Sequence, residues 1–207
     1  LYLCYGNSSV TASQENAAGV WDADYKGVWH MEGMPGGAND IPDSTADGVH
    51  GTTGNMDSAD QVAGKIGGSL DFDNVDDYVD TSLTDLGANT LTYSVWIKPR
   101  TAGQGGFGRI FEKYLETILF LYDDAGECKI QFEQTFSTSW GIWRVGSIAL
   151  NAWQYIVVTY DRSSTGNDPD LYINGELQSK AEISTPSGSM STNGNAVQIS
   201  KHPYNTR

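Results

Sequence analysis

The sequence predicts an all-β protein, an antiparallel β-sandwich or jelly roll, on three observations. β-Branched and aromatic residues come in short runs separated by Gly, Asn, Asp and Ser, which is the pattern of strands and turns. Helical spacing is nearly absent, and only Ser13 to Val20 is compatible with a short helix. About a dozen strands at regular intervals are typical of a sandwich or jelly roll.

The predicted strands are short, and turn-forming residues bound each of them. In chain order they cover residues 27–31, 69–73, 78–82, 91–98, 109–114, 117–122, 129–135, 142–147, 155–161 and 197–200. The clearest is Leu91 to Lys98, in which apolar and polar residues alternate up to Pro99. Alternation of this kind indicates a strand with one buried face.

Two of the turns between strands can be predicted from their residues. Asn174-Gly175 lies between two apolar runs and tolerates the positive φ angles of a type I′ hairpin. Asp123 to Gly126 predicts a looser turn. The polar stretches Gly33 to Ala63 and Ser184 to Asn195 predict surface loops, where ligands or metals bind most readily.

Strand alternation also predicts the core. One set of side chains lies on the apolar faces of the strands and should fill the sandwich: Phe72, Val95, Ile97, Ile156, Val158 and Ile173. Several aromatic residues fall on the same strands and are expected to be structural: Trp29, Tyr93, Trp96, Trp153 and Tyr160.

The charge balance excludes two classes of partner. Acidic residues outnumber basic ones, 26 to 12, and give a net charge of −14. Such a surface repels phosphate backbones and anionic lipid, so neither nucleic acid nor a membrane surface is an expected partner. The apolar runs are far shorter than the roughly 20 residues of a membrane span, so no membrane insertion is expected. Whether Cys4 and Cys128 form a disulfide is left open.

Six segments in the same order resemble the LamG-like (laminin-G/pentraxin-type) jelly-roll domains of the concanavalin A-like lectin and glucanase class. They are Gly27–Glu32, Asp43–Gly51, Gly67–Val79, Leu91–Pro99, Trp153–Asp161 and Leu171–Glu176. The resemblance implies a LamG-like domain over 23–207 and a secreted or cell-surface location. Residues 1–22 are expected to be the terminal strand and linker of a preceding β-domain. The family's usual closing strand is missing before Arg207.

Catalytic patterns are absent from the sequence. The Glu-x-Asp-x-x-Glu pattern of the family's enzymes does not occur, and the close pair Asp71 and Asp73 lies beside a turn. The histidines His30, His50 and His202 accompany no recognisable nucleophile or zinc spacing. We therefore expect a protein that is not an enzyme.

Calcium is the cofactor that the acidic loops favour. A hard cation takes about six to eight oxygen ligands, and carboxylates and loop carbonyls supply them. The candidate ligands are Asp43 and Asp47 with the carbonyls of residues 48–50, and Asp73, Asp76 and Asp77 from the neighbouring hairpin. The alternative is that these aspartates form Asx turns or solvate the surface.

Aromatic residues are numerous, with six tryptophans and eleven tyrosines, and exposed rings can stack on sugars. Trp140, Trp143 and Arg144 are the candidate sugar contacts, because they surround a Ser-rich turn and the start of a strand. The alternation there places Trp143 and Arg144 on opposite faces.

Together these features predict a non-catalytic recognition or adhesion module whose partner is a glycan or a cell-surface protein. One alternative is a structural subunit, in which Leu1 to Tyr5 or a partner's strand pairs with an open sheet edge and forms an oligomer or filament. A further alternative is a polysaccharide-active enzyme.

Overall fold

The computed structural model describes residues 7–12, 15–87 and 89–200, and these form a β-sandwich. The strands are β1 Gly51–Gly54, β2 Gln61–Ala63, β3 Gly68–Leu70, β4 Tyr78–Thr81, β5 Thr90–Ile97, β6 Phe107–Lys113, β7 Thr117–Asp124, β8 Glu127–Gln134, β9 Gly141–Ser147, β10 Gln154–Asp161, β11 Asp170–Ile173, β12 Glu176–Leu177, β13 Lys180–Ser184 and β14 Val197–Ile199. Helix is limited there to α1, Ala17–Val20, and one 3₁₀ turn, Gln104–Gly106. None of these described helices is long and apolar enough to cross a membrane.

Two antiparallel sheets form the sandwich. The large sheet has eight strands in the order β1-β4-β14-β6-β7-β8-β9-β13, and the small sheet has four in the order β12-β11-β10-β5. A separate hairpin pairs β2 with β3. The predicted all-β antiparallel sandwich is confirmed.

The main core lies between the two sheets. The large sheet contributes side chains such as Leu119, Ile130, Phe132 and Trp143, and Tyr160 comes from the small sheet. The predicted core is present: Ile156 and Val158 are buried, Val95, Ile97 and Ile173 pack against them half-buried, and Phe72 packs in a second cluster.

Trp96 contradicts its predicted core position. It lies on the outer face of β5 and is 37% exposed. The strand alternates strictly, so Trp96 faces away from the core that its neighbours Val95 and Ile97 contact.

The loop-rich N-terminal part differs from the prediction. No ladder forms at 27–31, where Trp29 makes only an isolated bridge to Asp43. The segment predicted as loop contains β1 and β2 instead. In β1 the backbone of Gly51 approaches Val79 so closely that a Cβ there would lie 2.6 Å from its Cγ1. β1 reads Gly-Thr-Thr-Gly, so glycines, which usually mark turns, flank its two β-branched residues and hide the strand in the sequence.

The hairpin at Asn174-Gly175 is confirmed, with φ angles of 54° and 85°. The turn between β7 and β8 is tighter than predicted, since Ala125 and Gly126 also take positive φ and close it in two residues. The predicted strand Leu1 to Tyr5, Cys4, His202 and the C-terminal end lie outside the described residues.

Candidate functional site

Trp143 is not a surface residue. Its side chain is 0% exposed, and its indole nitrogen donates to Asp168 Oδ1 at 2.9 Å. The ring packs against Phe132 and Tyr160. The prediction that Trp143 contacts a sugar is therefore wrong, because Trp143 shares the core face of β9 with Val145.

Trp140 and Arg144 remain available, but the structure does not bring the three candidates together. Trp140 is half-buried, and its carbonyl accepts a hydrogen bond of 2.7 Å from the Ser184 hydroxyl. Arg144 lies on the face of β9 opposite Trp143.

Asp43 holds its own loop together through hydrogen bonds to both carboxylate oxygens. Its Oδ1 accepts from the backbone nitrogens of Val28 and Thr45, at 2.8 and 3.1 Å. Its Oδ2 accepts from the Thr45 hydroxyl and from the Val49 nitrogen, at 2.5 and 3.0 Å. These bonds hold the pKa of Asp43 below its usual range despite burial. Because four donors already occupy both oxygens, calcium could bind Asp43 only by displacing some of these hydrogen bonds.

Asp73, Asp76 and Asp77 do come together. One carboxylate oxygen from each lies within 4.8 Å of the others, and Asp47 is not part of that group. Burial raises the pKa of Asp77, and the nearby charges of Asp73, Asp60 and Asp76 act in the same direction. Asp73 Oδ1 already accepts from the nitrogens of Val75 and Asp76, and Asp77 Oδ2 accepts from the Asp73 nitrogen. A divalent cation would relieve the repulsion, and the oxygens without these bonds fit calcium.

The large sheet carries a further group of polar side chains on the side facing away from the core. We call this group the polar face and define it by Arg109, Glu112, Gln131, Glu133 and Arg144. The register of the three central strands, β6, β7 and β8, places Glu112 and Glu133 in one row across the sheet. Glu112 pairs with Ile118, and Ile118 pairs with Glu133.

Hydrogen bonds order the polar face. Arg144 donates to Gln131 Oε1 from Nε at 2.9 Å and from Nη2 at 2.7 Å. Gln131 then donates from Nε2 to Glu133 Oε1 at 2.6 Å. Arg109 Nε donates to Glu112 Oε2 at 2.9 Å. Each carboxylate therefore has a fixed position on the sheet.

Keeping Glu112 and Glu133 ionised on the polar face is unfavourable. Burial raises the pKa of Glu112, with Glu133 adding like-charge repulsion and Arg109 opposing the rise. Burial also raises the pKa of Glu133. The side chain of Glu112 is 1% exposed, yet its Oε1 has no hydrogen-bond partner, and neither has Arg109 Nη1. Raised pKa values and unsatisfied polar atoms of this kind concentrate at functional sites.

Aromatic rings complete the surface. The Arg109 guanidinium carbon lies 4.7 Å from the centre of the Phe120 ring, and that of Arg144 lies 3.6 Å from the centre of the Tyr122 ring. Phe107 packs against both rings and is itself exposed. Glu112, Gln131 and Phe120 are buried, so they support the surface rather than form it. The partly exposed side chains are those that can bond and stack on a sugar, namely Phe107, Arg109, Tyr122, Glu133 and Arg144.

Sequence reasoning missed Glu112 and Glu133, because it searched for acidic residues close together in the chain. The two glutamates could have been found from the pairing register of β6, β7 and β8. Two tight connections, at residues 114–116 and 125–126, fix β6, β7 and β8 relative to one another. Counting outward from these turns would have placed both glutamates in one row.

Comparison with known proteins agrees with this architecture. Residues 72–207 match the family model Laminin_G_3, described as the concanavalin A-like lectin/glucanases superfamily. Among solved structures, the chain is similar to domain 4 of AbnA, a GH43 extracellular arabinanase from Geobacillus stearothermophilus, determined in complex with arabinotriose. Identity is 18%, the TM-score is 0.53, and the match covers 72% of this chain and 71% of that one. The search of curated proteins finds no match.

Proposed function

The chain belongs to the concanavalin A-like lectin/glucanase superfamily, and we propose that it is a non-catalytic extracellular recognition module that binds carbohydrate through the polar face. The hydrogen-bonded series from Arg144 through Gln131 to Glu133 carries the proposal. Sugar hydroxyls both donate and accept, so they match a surface on which carboxylates and guanidinium groups alternate. The arabinotriose bound by the similar arabinanase domain supports the same class of ligand.

Calorimetric titration against a panel of neutral oligosaccharides that includes arabinotriose tests this proposal. Arg144→Ala and Glu133→Gln are each expected to weaken binding at least about tenfold, the loss of one charge-assisted hydrogen bond. Glu176→Gln, on the hairpin of the small sheet, is the matched control and should bind like the parent. Equal affinity in all variants would place the ligand elsewhere.

We propose that binding occurs without cleavage. Arg109 holds one oxygen of Glu112, and Gln131 holds one of Glu133, so each carboxylate is bonded to a neighbouring side chain. Little of Glu112 is accessible to a substrate or to an attacking water. Incubation with the glycans that bind should release no reducing ends. Release that Glu133→Gln abolishes would make this protein a glycosidase.

We further propose that calcium binds at Asp73, Asp76 and Asp77, with water and carbonyl oxygens filling the remaining positions. At a calcium concentration about 100 times the dissociation constant, stabilisation should reach about 2.7 kcal/mol. Thermal melting in calcium and in EDTA measures it. Asp76→Asn should remove the difference, and Asp47→Asn, outside the cluster, should retain it. Identical melting of the parent protein in both buffers would contradict the site.

A structural role by strand addition is the second candidate, and the free edge of β5 favours it. Within the described residues β5 pairs only with β10. Its Val95 and Ile97 line an open cleft of about 1730 Å³. A strand added there would bond to the backbone of β5 and cover this apolar surface. Sedimentation should then show a concentration-dependent oligomer, whereas a monomer at all concentrations would contradict this role.

A further inference from the structure

The outer face of the small sheet carries an aromatic pair that the core does not use. Trp96 of β5 and Tyr155 of β10 are direct cross-strand partners. Their ring centres lie 5.0 Å apart, with the ring planes at 32°. More than a third of Trp96 is exposed. Ser94 and Val157 pair beside them on the same face, and Tyr155 is half-buried, so Trp96 is the more accessible ring.

Two lysines without acidic partners flank this pair. Lys65 Nζ lies 5.5 Å from the centre of the Trp96 ring. Lys98 is exposed and follows Trp96 by two residues, which is about 7 Å along an extended chain. Neither ammonium group forms an ion pair with any described residue.

Unpaired cations are rare in this acidic protein. Among the residues that the structure describes, most basic side chains take part in ion pairs, namely Arg100, Arg109, Lys113, Lys129, Arg144, Arg162 and Lys180. The exceptions are Lys26, Lys65 and Lys98, and two of the three lie beside Trp96. The aromatic pair therefore lies next to two of the three described basic side chains that form no ion pair.

Four carboxylates, those of Asp71, Asp73, Asp76 and Asp77, line the cleft beside Trp96 and Lys98, but none of them forms an ion pair with Lys65 or Lys98. Asp71, in the adjacent cleft, is already bonded to Arg100 at 2.6 Å. On the outer face itself, Asp161 pairs with Thr90 at the far end of β5, six residues from Trp96. That spacing corresponds to about 20 Å. The two ammonium groups at the Trp96 end of the face form no ion pair with any described residue, so they can bond to the carboxylates of a ligand.

We propose that Trp96, Tyr155, Lys65 and Lys98 form a second glycan-binding surface, and that its ligand is a polysaccharide of uronic acids. The apolar side of a sugar ring stacks on Trp96, and carboxylates of the ligand bond to the two ammonium groups. This surface and the polar face lie on different sheets, so it does not depend on the function proposed above.

Titration with hexagalacturonate and hexamannuronate, in one calcium-containing buffer, tests the proposal. At least one should bind, and Trp96→Ala and the double variant Lys65→Gln/Lys98→Gln should each weaken it at least about tenfold. Methyl esterification of the hexagalacturonate, which removes its charge, should weaken binding of that probe to a similar extent. Lys26→Gln is the control, because Lys26 also lacks an ion pair, and it should leave the affinity unchanged.

Three results would overturn the proposal: no binding of either acid, equal binding by Trp96→Ala, or a loss of affinity in Lys26→Gln as large as in the double variant. Melting temperatures of all variants establish that they are folded. Neutral oligosaccharide binding that depends on Arg144 would survive each of these outcomes, so failure here is distinguishable from failure of the polar face.

Discussion

Replacing Glu116 by Ala should lower the free energy of unfolding by about 3–5 kcal/mol, the cost of leaving buried cations without their partner. Lys113 Nζ and Arg162 Nη1 each lie 2.6 Å from a different oxygen of Glu116. All three side chains are buried. Lys113 also donates to the Asn193 carbonyl at 2.6 Å. Glu116 thereby ties the turn between β6 and β7 to the end of β10 and to the loop before β14.

Urea denaturation of Glu116→Ala measures this loss. Asp71→Ala is the matched control, because it removes one partner of the solvent-exposed ion pair with Arg100. Such surface pairs contribute at most about 1 kcal/mol. If the two variants were equally stable, the buried cluster would have no special structural role.

Replacing Trp143 by Ala should be comparably destabilising, by about 3–5 kcal/mol, because it empties a large volume in the closed core. The change also removes the hydrogen bond to Asp168 and the ring contacts with Phe132 and Tyr160. Trp96→Ala is the matched control and should cost much less, because Trp96 lies on the outer face.

Equilibrium unfolding of both tryptophan variants separates structural from binding roles. Trp143→Ala should lose stability, and Trp96→Ala should lose affinity for uronic-acid oligomers. The reverse pattern, with a stable Trp143→Ala that no longer binds glycan, would restore Trp143 as a sugar contact.

The two tryptophans also show what strand patterns can predict. The alternation of apolar and polar residues located β5 and β9 and showed which residues of each strand share a face. It assigned Trp96 to the core although Trp96 shares its face with Ser94 and Lys98. For Trp143 the signal was present, since Val145 on the same face is apolar and Arg144 on the other is charged. Aromatic character is therefore weaker evidence of position than the polarity of the neighbours on the same face.

The candidate site was less predictable, because it depends on contacts across strands. Glu112 and Glu133 become neighbours only through the register of β6, β7 and β8. Asp43 resembles a calcium ligand in the chain, and only the folded loop shows that Val28, Thr45 and Val49 already donate to its oxygens. Loop aspartates identify candidate ligands, whereas hydrogen bonding decides which of them remain available.

Mapping of a bound neutral oligosaccharide by two-dimensional NMR tests the central claim most directly. The glycan that binds most tightly in the calorimetric panel is added to isotopically labelled protein. The account predicts that the largest shifts occur at the side-chain amide of Gln131 and at Nε of Arg144, which lie on the polar face. Unchanged signals from these groups, with shifts confined to other surfaces, would contradict carbohydrate recognition by the polar face.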